Sequence, residues 1–387
     1  MPDGSDRVTV KVVPGLADIP AAEWDACAGD DNPFLSHAFL EALEASGSAT
    51  AETGWLPQHL MLEDKDGKLL GCVPLYLKTH SYGEYVFDWG WASAYERAGG
   101  RYYPKLQCSV PFTPVTGRRL LLRPDAGPAA ADGLAAAMIE LARRHKASSL
   151  HVTFPTQEEW QRLGAAGFLQ RVGQQFHWLN DGYGSFDDFL EALNSRKRKQ
   201  IRRERREALQ GGIEIETLTG AAIEPKHWDA FYRFYRSTSD RKWGDAYLTR
   251  RFFDLIGARM AERIVLVMAR KGGRYVAGAL NLVGRDTLYG RNWGCLGDFP
   301  FLHFEACYYR AIDFAIARGL KRVEAGAQGP HKIQRGYLPV PTYSAHWIRD
   351  PGFARAVADF VERERCAVES EMEQLEGELS PFKREAE

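Results

Sequence analysis

Residues 264–283 read IVLVMARKGGRYVAGALNLV. Two apolar runs of strand length flank Gly272–Gly273, a pair that favours the tight turn of a β-hairpin. Residues 59–77 read HLMLEDKDGKLLGCVPLYL, and here the turn is predicted at Asp66–Gly67. The same hairpin is therefore predicted once in each half of the chain.

The segments around the two hairpins follow one order in both halves. A strand and a helix pair precede each hairpin, and a strand, a helix and a final strand follow it. This order predicts a duplicated α/β (α+β) fold whose domains each have a mixed, mostly antiparallel sheet flanked by helices. A chain of 387 residues also exceeds what one hydrophobic core usually supports. We expect domains at 1–180 and 181–387, with a basic helix at 186–209 and a charged helix at the C-terminus.

The composition argues against several classes of protein. The net charge of −1 gives no overall attraction to nucleic acid or membranes. The six cysteines are isolated, so neither a metal site nor a disulfide framework is predicted. The longest aliphatic run, Ile264–Ala269, is far shorter than the roughly 20 residues of a transmembrane helix. We therefore expect a cytoplasmic protein without a transmembrane segment.

Familiar catalytic motifs are absent from the sequence. No GxGxxG follows a predicted strand, and no Walker, GxSxG or HExxH motif occurs. The HFE at 303–305 is similar to the H-x-E of zinc deaminases, but no PCxxC follows it. These absences argue against most nucleotide-hydrolysing, redox and hydrolase functions.

The strongest local charge signal is NSRKRKQIRRERREAL at 194–209. On a helix, Leu190, Leu193, Ile201 and Ala208 share one stripe, and every cation except Lys197 lies on the remaining face. One interpretation is a solvated face that the acidic C-terminal segment partly neutralises. The other is a platform for phosphates of a nucleotide cofactor, a tRNA or an anionic lipid precursor.

A second signal is the irregular, aromatic-rich stretch HSYGEYVFDWGWASAYERAGGRYYPKLQCSVPFTP at 80–114. Long loops without periodicity are often functional, and an aromatic-walled cleft suits a sugar, peptide or nucleobase. The alternative is a small core packed beneath a loop. The candidate cleft-facing residues are His80, Glu84, Tyr102, Tyr103 and Lys105.

A third signal is GAQGPHKIQRGY at 326–337, directly after the predicted strand RVEAG at 322–326. Its glycines allow close approach of the backbone to a ligand. The strand YGRNWG at 289–294 should run beside RVEAG, because strands bridged by one helix tend to be neighbours. Arg291 and Glu324 then either form a structural pair, or a general base is supplied by Glu324, Glu305 or His303. The candidate substrate-binding residues here are Arg291, Trp293, Gln328, His331, Lys332 and Arg335.

The order of elements resembles the GNAT acyltransferase fold occurring twice. Within it, the chain resembles the FemAB-like family of peptidoglycan biosynthesis/recognition proteins from about residue 32 to 365. The segments that carry this resemblance include NPFLSHAFLEALEASG, HSYGEYVFDWGWASAYERAG, QFHWLN, SRKRKQIRRER, RKWGDAYLTRRFF, LYGRNWG, FLHFEACYYRAIDFAI and VEAGAQGPHKIQRGY.

The resemblance implies transfer of an amino acid from aminoacyl-tRNA to an amine on a cell-wall precursor peptide. Other paired-GNAT relatives use acyl-CoA as the donor, but the usual GNAT phosphate loop is not legible in either half. The basic helix of Fem-type proteins corresponds to Arg196–Arg206, and their FKxGFG-like segment corresponds to the region of Lys332 and Gly336–Tyr337. His331, Lys332 and Arg335 are then expected to hold an anionic group of the substrate.

Three hypotheses follow from the sequence. The first is acyl or aminoacyl transfer from acyl-CoA or aminoacyl-tRNA to an amine that enters between the domains. The second is a non-catalytic recognition protein that binds a peptidoglycan-precursor-like ligand. The third is nucleic-acid binding, for example to tRNA, through the basic helix alone.

Overall fold

A computed structural model describes residues 8–242, 246–327 and 329–383. Its strands are β1 (Thr9–Val13), β2 (Trp55–Pro57), β3 (His59–Glu63), β4 (Leu69–Val73), β5 (Leu75–Lys78), β6 (Lys105–Cys108), β7 (Leu121–Leu122), β8 (Ser149–Thr153), β9 (Leu169–Leu179), β10 (Ile213–Thr219), β11 (Ile264–Lys271), β12 (Arg274–Val283), β13 (Thr287–Cys295), β14 (Arg322–Glu324) and β15 (Leu338–Ile348). Its α-helices are α1 (Ala21–Ala28), α2 (His37–Ala45), α3 (Trp89–Arg97), α4 (Pro128–Arg144), α5 (Gln157–Ala165), α6 (Phe186–Ala192), α7 (Ser195–Ala208), α8 (Pro225–Lys242), α9 (Arg250–Arg259), α10 (Leu302–Phe304), α11 (Arg310–Ala317) and α12 (Pro351–Leu379). A π-helix (Glu305–Tyr309) joins α10 to α11, and a 3₁₀ helix (Pro330–Arg335) follows β14.

Both predicted hairpins are confirmed. β3 and β4 pair antiparallel, as do β11 and β12. The turn residues Gly67, Gly272 and Gly273 have φ of 81°, 55° and 76°. These left-handed conformations explain why glycine is needed at both turns.

The chain folds as two compact units. The first comprises the residues up to Gly173 together with Pro341–Glu369, and the second comprises Gln174–Val340 together with the residues from Ser370. β9, β15 and α12 each pass from one unit to the other. This division differs from the single boundary predicted at residue 180, because residues 341–369 return to the first unit.

The first unit contains two sets of paired strands. Their orders are β1-β3-β4-β7 and β15-β8-β6-β5-β2. β6 and β8 run parallel, joined by a crossover that contains α4, whereas β5 and β6 run antiparallel. Leu134, Ala135 and Met138 of α4 pack with buried strand residues such as Leu106 and Leu150.

The second unit repeats this arrangement. Its strand order is β10-β11-β12-β13-β14-β9, and β13 and β14 form a parallel pair joined by a crossover that contains α11. The buried side chains of α11 pack on Leu288 of β13 and Val323 of β14. The predicted duplication of a mixed, mostly antiparallel sheet flanked by helices is therefore confirmed.

Two local predictions were wrong. The stretch from 80 to 114 is not irregular throughout, because it contains α3 and β6. In α3 the buried residues are Trp91 and Ala92. All four residues of β6 are buried, although Lys105 and Gln107 are polar. Neither element therefore shows the usual apolar periodicity. The basic helix does not begin at residue 186, because Asn194 separates α6 from α7 and its side chain accepts a hydrogen bond from the Lys197 amide at 3.0 Å. Asparagine is among the preferred residues for such a cap.

None of the helices in the described ranges combines the length and apolar character needed to cross a membrane.

Candidate active site

In the second unit, the parallel strands β13 and β14 diverge after a short paired segment. Thr287–Tyr289 pair with Arg322–Glu324, so the predicted adjacency of these strands is confirmed. β14 ends at Glu324, whereas β13 continues to Cys295. Gly326 follows with φ of +80°, which L side chains rarely adopt. Glu324 therefore lies where the two strands separate.

Glu324 is a buried carboxylate with an oxygen that lacks a partner. Its side chain is 6% exposed, and Oε2 accepts no hydrogen bond from the described residues. Burial raises the pKa of Glu324 to about 7, and the nearby charges of Arg322 and Arg291 only partly oppose this shift. A carboxylate with a pKa near 7 and a free lone pair is suited to act as a general base at neutral pH.

His177, on the neighbouring strand β9, lies directly opposite Glu324. The two residues are partners in the antiparallel β9–β14 register, and His177 Nε2 is 3.9 Å from Glu324 Oε2. Burial lowers the pKa of His177 to about 3, assisted by the charges of Arg322 and Lys332. The imidazole is therefore neutral at pH 7. The sequence did not single out His177, because only strand pairing places QFHWLN beside RVEAG.

Lys332 is a buried amine whose charge acts on His177. Its Nζ donates a hydrogen bond of 2.8 Å to the Gly326 carbonyl and forms no ion pair within the described residues. Burial lowers the pKa of Lys332 to about 8. At neutral pH the amine is therefore still mostly a cation, without a carboxylate to neutralise it.

Three of the predicted residues meet in an aromatic cluster. The ring of His303 is 5.4 Å from that of Trp293, 5.3 Å from that of Tyr308 and 6.3 Å from that of His331. The Tyr308 hydroxyl and His331 Nε2 are hydrogen-bonded at 2.9 Å. Tyr308 is a member of this cluster that the sequence did not indicate.

Arg335 is already engaged by a carboxylate. Its Nε and Nη2 donate hydrogen bonds to Glu204 at 3.2 and 2.9 Å, and its guanidinium lies 3.4 Å above the Phe304 ring. It is also buried. We therefore assign Arg335 a structural role at the site, and not the binding of a substrate anion that the sequence suggested.

Glu305, a predicted candidate base, is also held in ion pairs. Its fully buried carboxylate binds Arg205 Nε at 3.1 Å and Arg310 Nε at 2.9 Å. Arg205 binds Asp313 at 2.6 Å as well, so it does not belong to the outward-facing cations of α7 as the sequence had indicated. Two guanidinium groups occupy the lone pairs that a base would need.

We predict that Glu305→Gln lowers the free energy of unfolding by about 1–3 kcal/mol, since it removes a buried charge that binds Arg205 and Arg310, although Arg205 keeps Asp313. Chemical denaturation of both proteins measures this loss. The control Asp313→Asn, at a partly exposed carboxylate, should lose less. If Glu305→Gln kept wild-type stability but lost activity, Glu305 would return as a catalytic candidate.

Arg291 is half-buried on β13, two residues beyond Tyr289, and its charge acts on Glu324. Gln328 lies outside the described residues. Within the second unit, the structure thus groups Glu324 with Arg291, and His303 with Trp293 and His331.

The first unit contains a separate buried network of charged groups. Lys105 Nζ donates hydrogen bonds to Ser81 Oγ and Glu84 Oε2, at 2.8 and 2.7 Å, and to Asp88 Oδ2. The Tyr102 hydroxyl donates to the same Asp88 oxygen at 2.7 Å. Three predicted residues, Glu84, Tyr102 and Lys105, therefore meet here.

This network is enclosed. Lys105 and Lys78 have no exposed side-chain surface, and Glu84 and Asp88 are 2% exposed. Burial raises the pKa of Glu84 to about 7 and lowers that of Lys78 to about 6. Burial alone would raise the pKa of Asp88, but the charge of Lys105 holds it well below its ordinary value. Lys105 pairs with one oxygen of each carboxylate, whereas Glu84 Oε1 and Asp88 Oδ1 accept no hydrogen bond from the described residues.

The two remaining first-unit candidates lie at the margin of this network. The half-buried Tyr103 shares a hydrogen bond of 2.8 Å with Ser81 Oγ. His80 is further out, with Nε2 hydrogen-bonded to the Thr53 carbonyl at 2.9 Å. The arrangement matches the predicted alternative of a small core beneath a loop for Glu84, Tyr102 and Lys105.

The outer face of α7 presents several cations without partners. Ile201, Glu204 and Ala208 are buried, whereas Arg196, Lys199 and Arg206 are exposed and form no ion pair within the described residues. Arg202 binds Asp187 at 3.0 Å. No ion pair joins α7 to residues 370–383, so the predicted neutralisation by the acidic C-terminal segment is not observed in the described part of the chain.

The repeated parallel crossover and the carboxylate at the diverging strands define a protein with two tandem GNAT-like units. The chain belongs to the FemAB-like family, described as peptidoglycan biosynthesis/recognition, whose sequence profile matches residues 15–384. The sequence has no significant match among curated proteins.

Solved structures with a similar fold cover nearly the whole chain. FemX aligns with a TM-score of 0.54 at 14% identity, over 88% of this chain and 98% of its own. The C-terminal domain of a putative lysylphosphatidylglycerol synthetase from Agrobacterium fabrum aligns with a TM-score of 0.53 at 12% identity, over 88% and 95%. L-PGS from Bacillus licheniformis aligns with a TM-score of 0.53 at 9% identity, over 93% and 99%. At these identities the similarities establish the fold.

Proposed function

We propose that the protein transfers an acyl or aminoacyl group from an activated ester or thioester to an amine, with Glu324 as the general base. The observation that carries this proposal is the buried carboxyl group of Glu324 at the divergence of β13 and β14, which has a pKa of about 7 and an oxygen that accepts no hydrogen bond from the described residues. An ammonium has no lone pair with which to attack, so an amine acceptor needs such a base.

The acceptor reacts as the neutral amine, after its ammonium form has lost one proton to solvent, and one further proton moves during the reaction. Glu324 accepts a proton from the acceptor amine while the amine nitrogen forms a bond to the carbonyl carbon of the donor. The Lys332 cation stabilises the negative charge that develops on the carbonyl oxygen, as a preorganised charge does in a buried site. The carbonyl then re-forms, the bond to the leaving hydroxyl or thiol breaks, and the proton on Glu324 passes to that leaving group. His177 is neutral and so does not compensate the charge of Glu324.

Of the two donors, aminoacyl-tRNA is favoured over acyl-CoA. The unpaired cations on α7 suit an extended polyanion, because several separate phosphates can each release counterions. The family description favours an amine on a peptidoglycan precursor as the acceptor. A direct test incubates the protein with a precursor peptide and either labelled acyl-CoA or tRNA charged with a labelled amino acid. Transfer from tRNA supports the proposal, whereas saturable binding of the peptide without transfer from either donor supports a recognition protein.

We predict that replacing Arg196, Lys199 and Arg206 together by glutamine weakens tRNA binding and makes it less dependent on salt. Each lost phosphate contact should reduce the slope of log affinity against log salt by about 0.7–0.9. Filter binding or fluorescence anisotropy at several salt concentrations measures this slope.

The matched control replaces Arg233, Arg251 and Arg274, three exposed cations of the same unit, by glutamine. The change in net charge is identical, so a general electrostatic effect would alter both variants equally. Equal slopes for the two triple variants would exclude α7 as the tRNA-binding surface.

A further inference from the structure

Glu204 is a buried carboxylate in the middle of the most basic segment of the chain. It is 2% exposed and lies on the inner face of α7. Besides the two hydrogen bonds from Arg335, it accepts one from the Tyr309 hydroxyl and one from Gln200 Nε2 at 2.9 Å. Donors from α7, the π-helix and the 3₁₀ helix thus converge on one side chain.

The 3₁₀ helix that Arg335 belongs to also carries Lys332. Arg335 Nη1 donates a hydrogen bond to the His331 carbonyl at 2.7 Å, within the same short helix. A second link to α7 runs from Lys197 Nζ to Gln334 Oε1 at 3.0 Å. Two side-chain contacts, Arg335–Glu204 and Lys197–Gln334, therefore link the helix that carries Lys332 to α7.

A glycine lies on either side of this short helix. Gly329 and Gly336 flank it with φ of +119° and +88°, and glycine restricts its own conformation least of all residues. Ile333 is buried in the core and anchors one side of the helix. The ion pair from Glu204 holds the opposite end, at Arg335.

We propose that Glu204 is a positioning residue, which holds the Pro330–Arg335 helix through Arg335 so that the Lys332 amine stays buried beside Gly326. It links the cationic outer face of α7 to the amine at the end of β14. The purpose of this positioning rests on the proposed transfer reaction, but the positioning itself can be measured without any substrate.

The test compares wild-type protein with Glu204→Gln. Acetic anhydride is applied over a range of pH, and mass spectrometry of peptides gives the rate of acetylation of Lys332. The midpoint of the rate–pH curve reports the pKa of the amine, whereas a change in accessibility alone alters the rate and not the midpoint. We expect a midpoint near 8 in the wild type. In Glu204→Gln it should rise by at least about one unit toward the ordinary lysine value of about 10.4, as the amine becomes hydrated.

The matched control is Glu207→Gln. It removes a carboxylate of the same helix whose one ion pair among the described residues is with Arg203, at 3.7 Å. Its midpoint should equal that of the wild type. If Glu204→Gln does not fold, Tyr309→Phe removes one donor to Glu204 and keeps both charges, and a raised midpoint there supports the proposal. An unchanged midpoint in the folded variant overturns it.

The two proposals fail separately. A raised midpoint in a protein that transfers no label would support positioning by Glu204 and reject the transferase. Transfer by the wild type with an unchanged midpoint in Glu204→Gln would support the transferase and reject positioning by Glu204. In an active protein, Glu204→Gln should lower kcat at pH 8 more than it raises KM for the donor, because Lys332 acts on the transition state.

Discussion

Replacing Glu324 by glutamine is expected to lower kcat by about 10²- to 10⁴-fold, the usual contribution of a positioned general base. The amide is nearly isosteric with the carboxylate but cannot accept the amine proton. Because the carboxylate is the active form and its pKa is about 7, the wild-type rate should increase as pH rises from 5.5 through 7. Steady-state transfer rates between pH 5.5 and 8 measure both effects.

The matched control for this variant is Glu214→Gln, at an exposed carboxylate of the same unit that pairs with Arg270. It should keep the wild-type rate and the wild-type pH profile. The pH profile of the residual activity of Glu324→Gln should lack the acid limb, which is the rise in rate as pH increases toward 7. A variant that retained most of the rate, or the same acid limb, would exclude Glu324 as the base.

Replacing Lys332 by methionine is expected to lower kcat by about 10²- to 10³-fold, as for the loss of one stabilising group at a developing oxyanion. Methionine keeps a long apolar side chain but removes the charge. Since the protonated amine is the active form and its pKa is about 8, the wild-type rate should fall as pH rises above 8. With the acid limb of Glu324, the profile should be a bell with its maximum between about pH 7 and 8.

Lys332→Arg separates charge from titration. A guanidinium remains charged above pH 12, so this variant should lose the alkaline limb and retain more activity than Lys332→Met. The exposed Lys271→Met serves as the control for loss of a lysine and should behave as the wild type. An alkaline limb that persisted in Lys332→Arg would have to come from another group, and Lys332 would lose its assigned role.

Much of the fold was predictable because its signals are local. Apolar runs of strand length on either side of Asp66–Gly67 and Gly272–Gly273 predict a β-hairpin, because glycine readily adopts the left-handed backbone conformation of the turn. The adjacency of β13 and β14 followed from the short helical connection between them. The amphipathic character of α7 was also legible, but its start at Ser195 depended on a cap by Asn194.

The elements that sequence reasoning missed are those in which tertiary contacts replace local patterns. β6 is entirely buried, yet Lys105 and Gln107 would argue for an exposed strand. Lys105 is tolerated because Glu84 and Asp88 neutralise it, and both come from a different part of the chain. No periodicity within one segment reports such compensation.

Local residue patterns suffice to predict the duplicated α/β order, the two hairpins and the concentration of positive charge on α7, because each depends on neighbouring residues and backbone preference. Which charged groups remain available for chemistry depends instead on contacts between residues that are distant in the chain. Glu305 and Arg335 carry the right functional groups, but Arg205, Arg310 and Glu204 occupy them. Glu324 Oε2 accepts no hydrogen bond from the described residues, since the nearest nitrogen of its strand partner His177 is 3.9 Å away, and strand pairing over a long sequence separation sets that geometry.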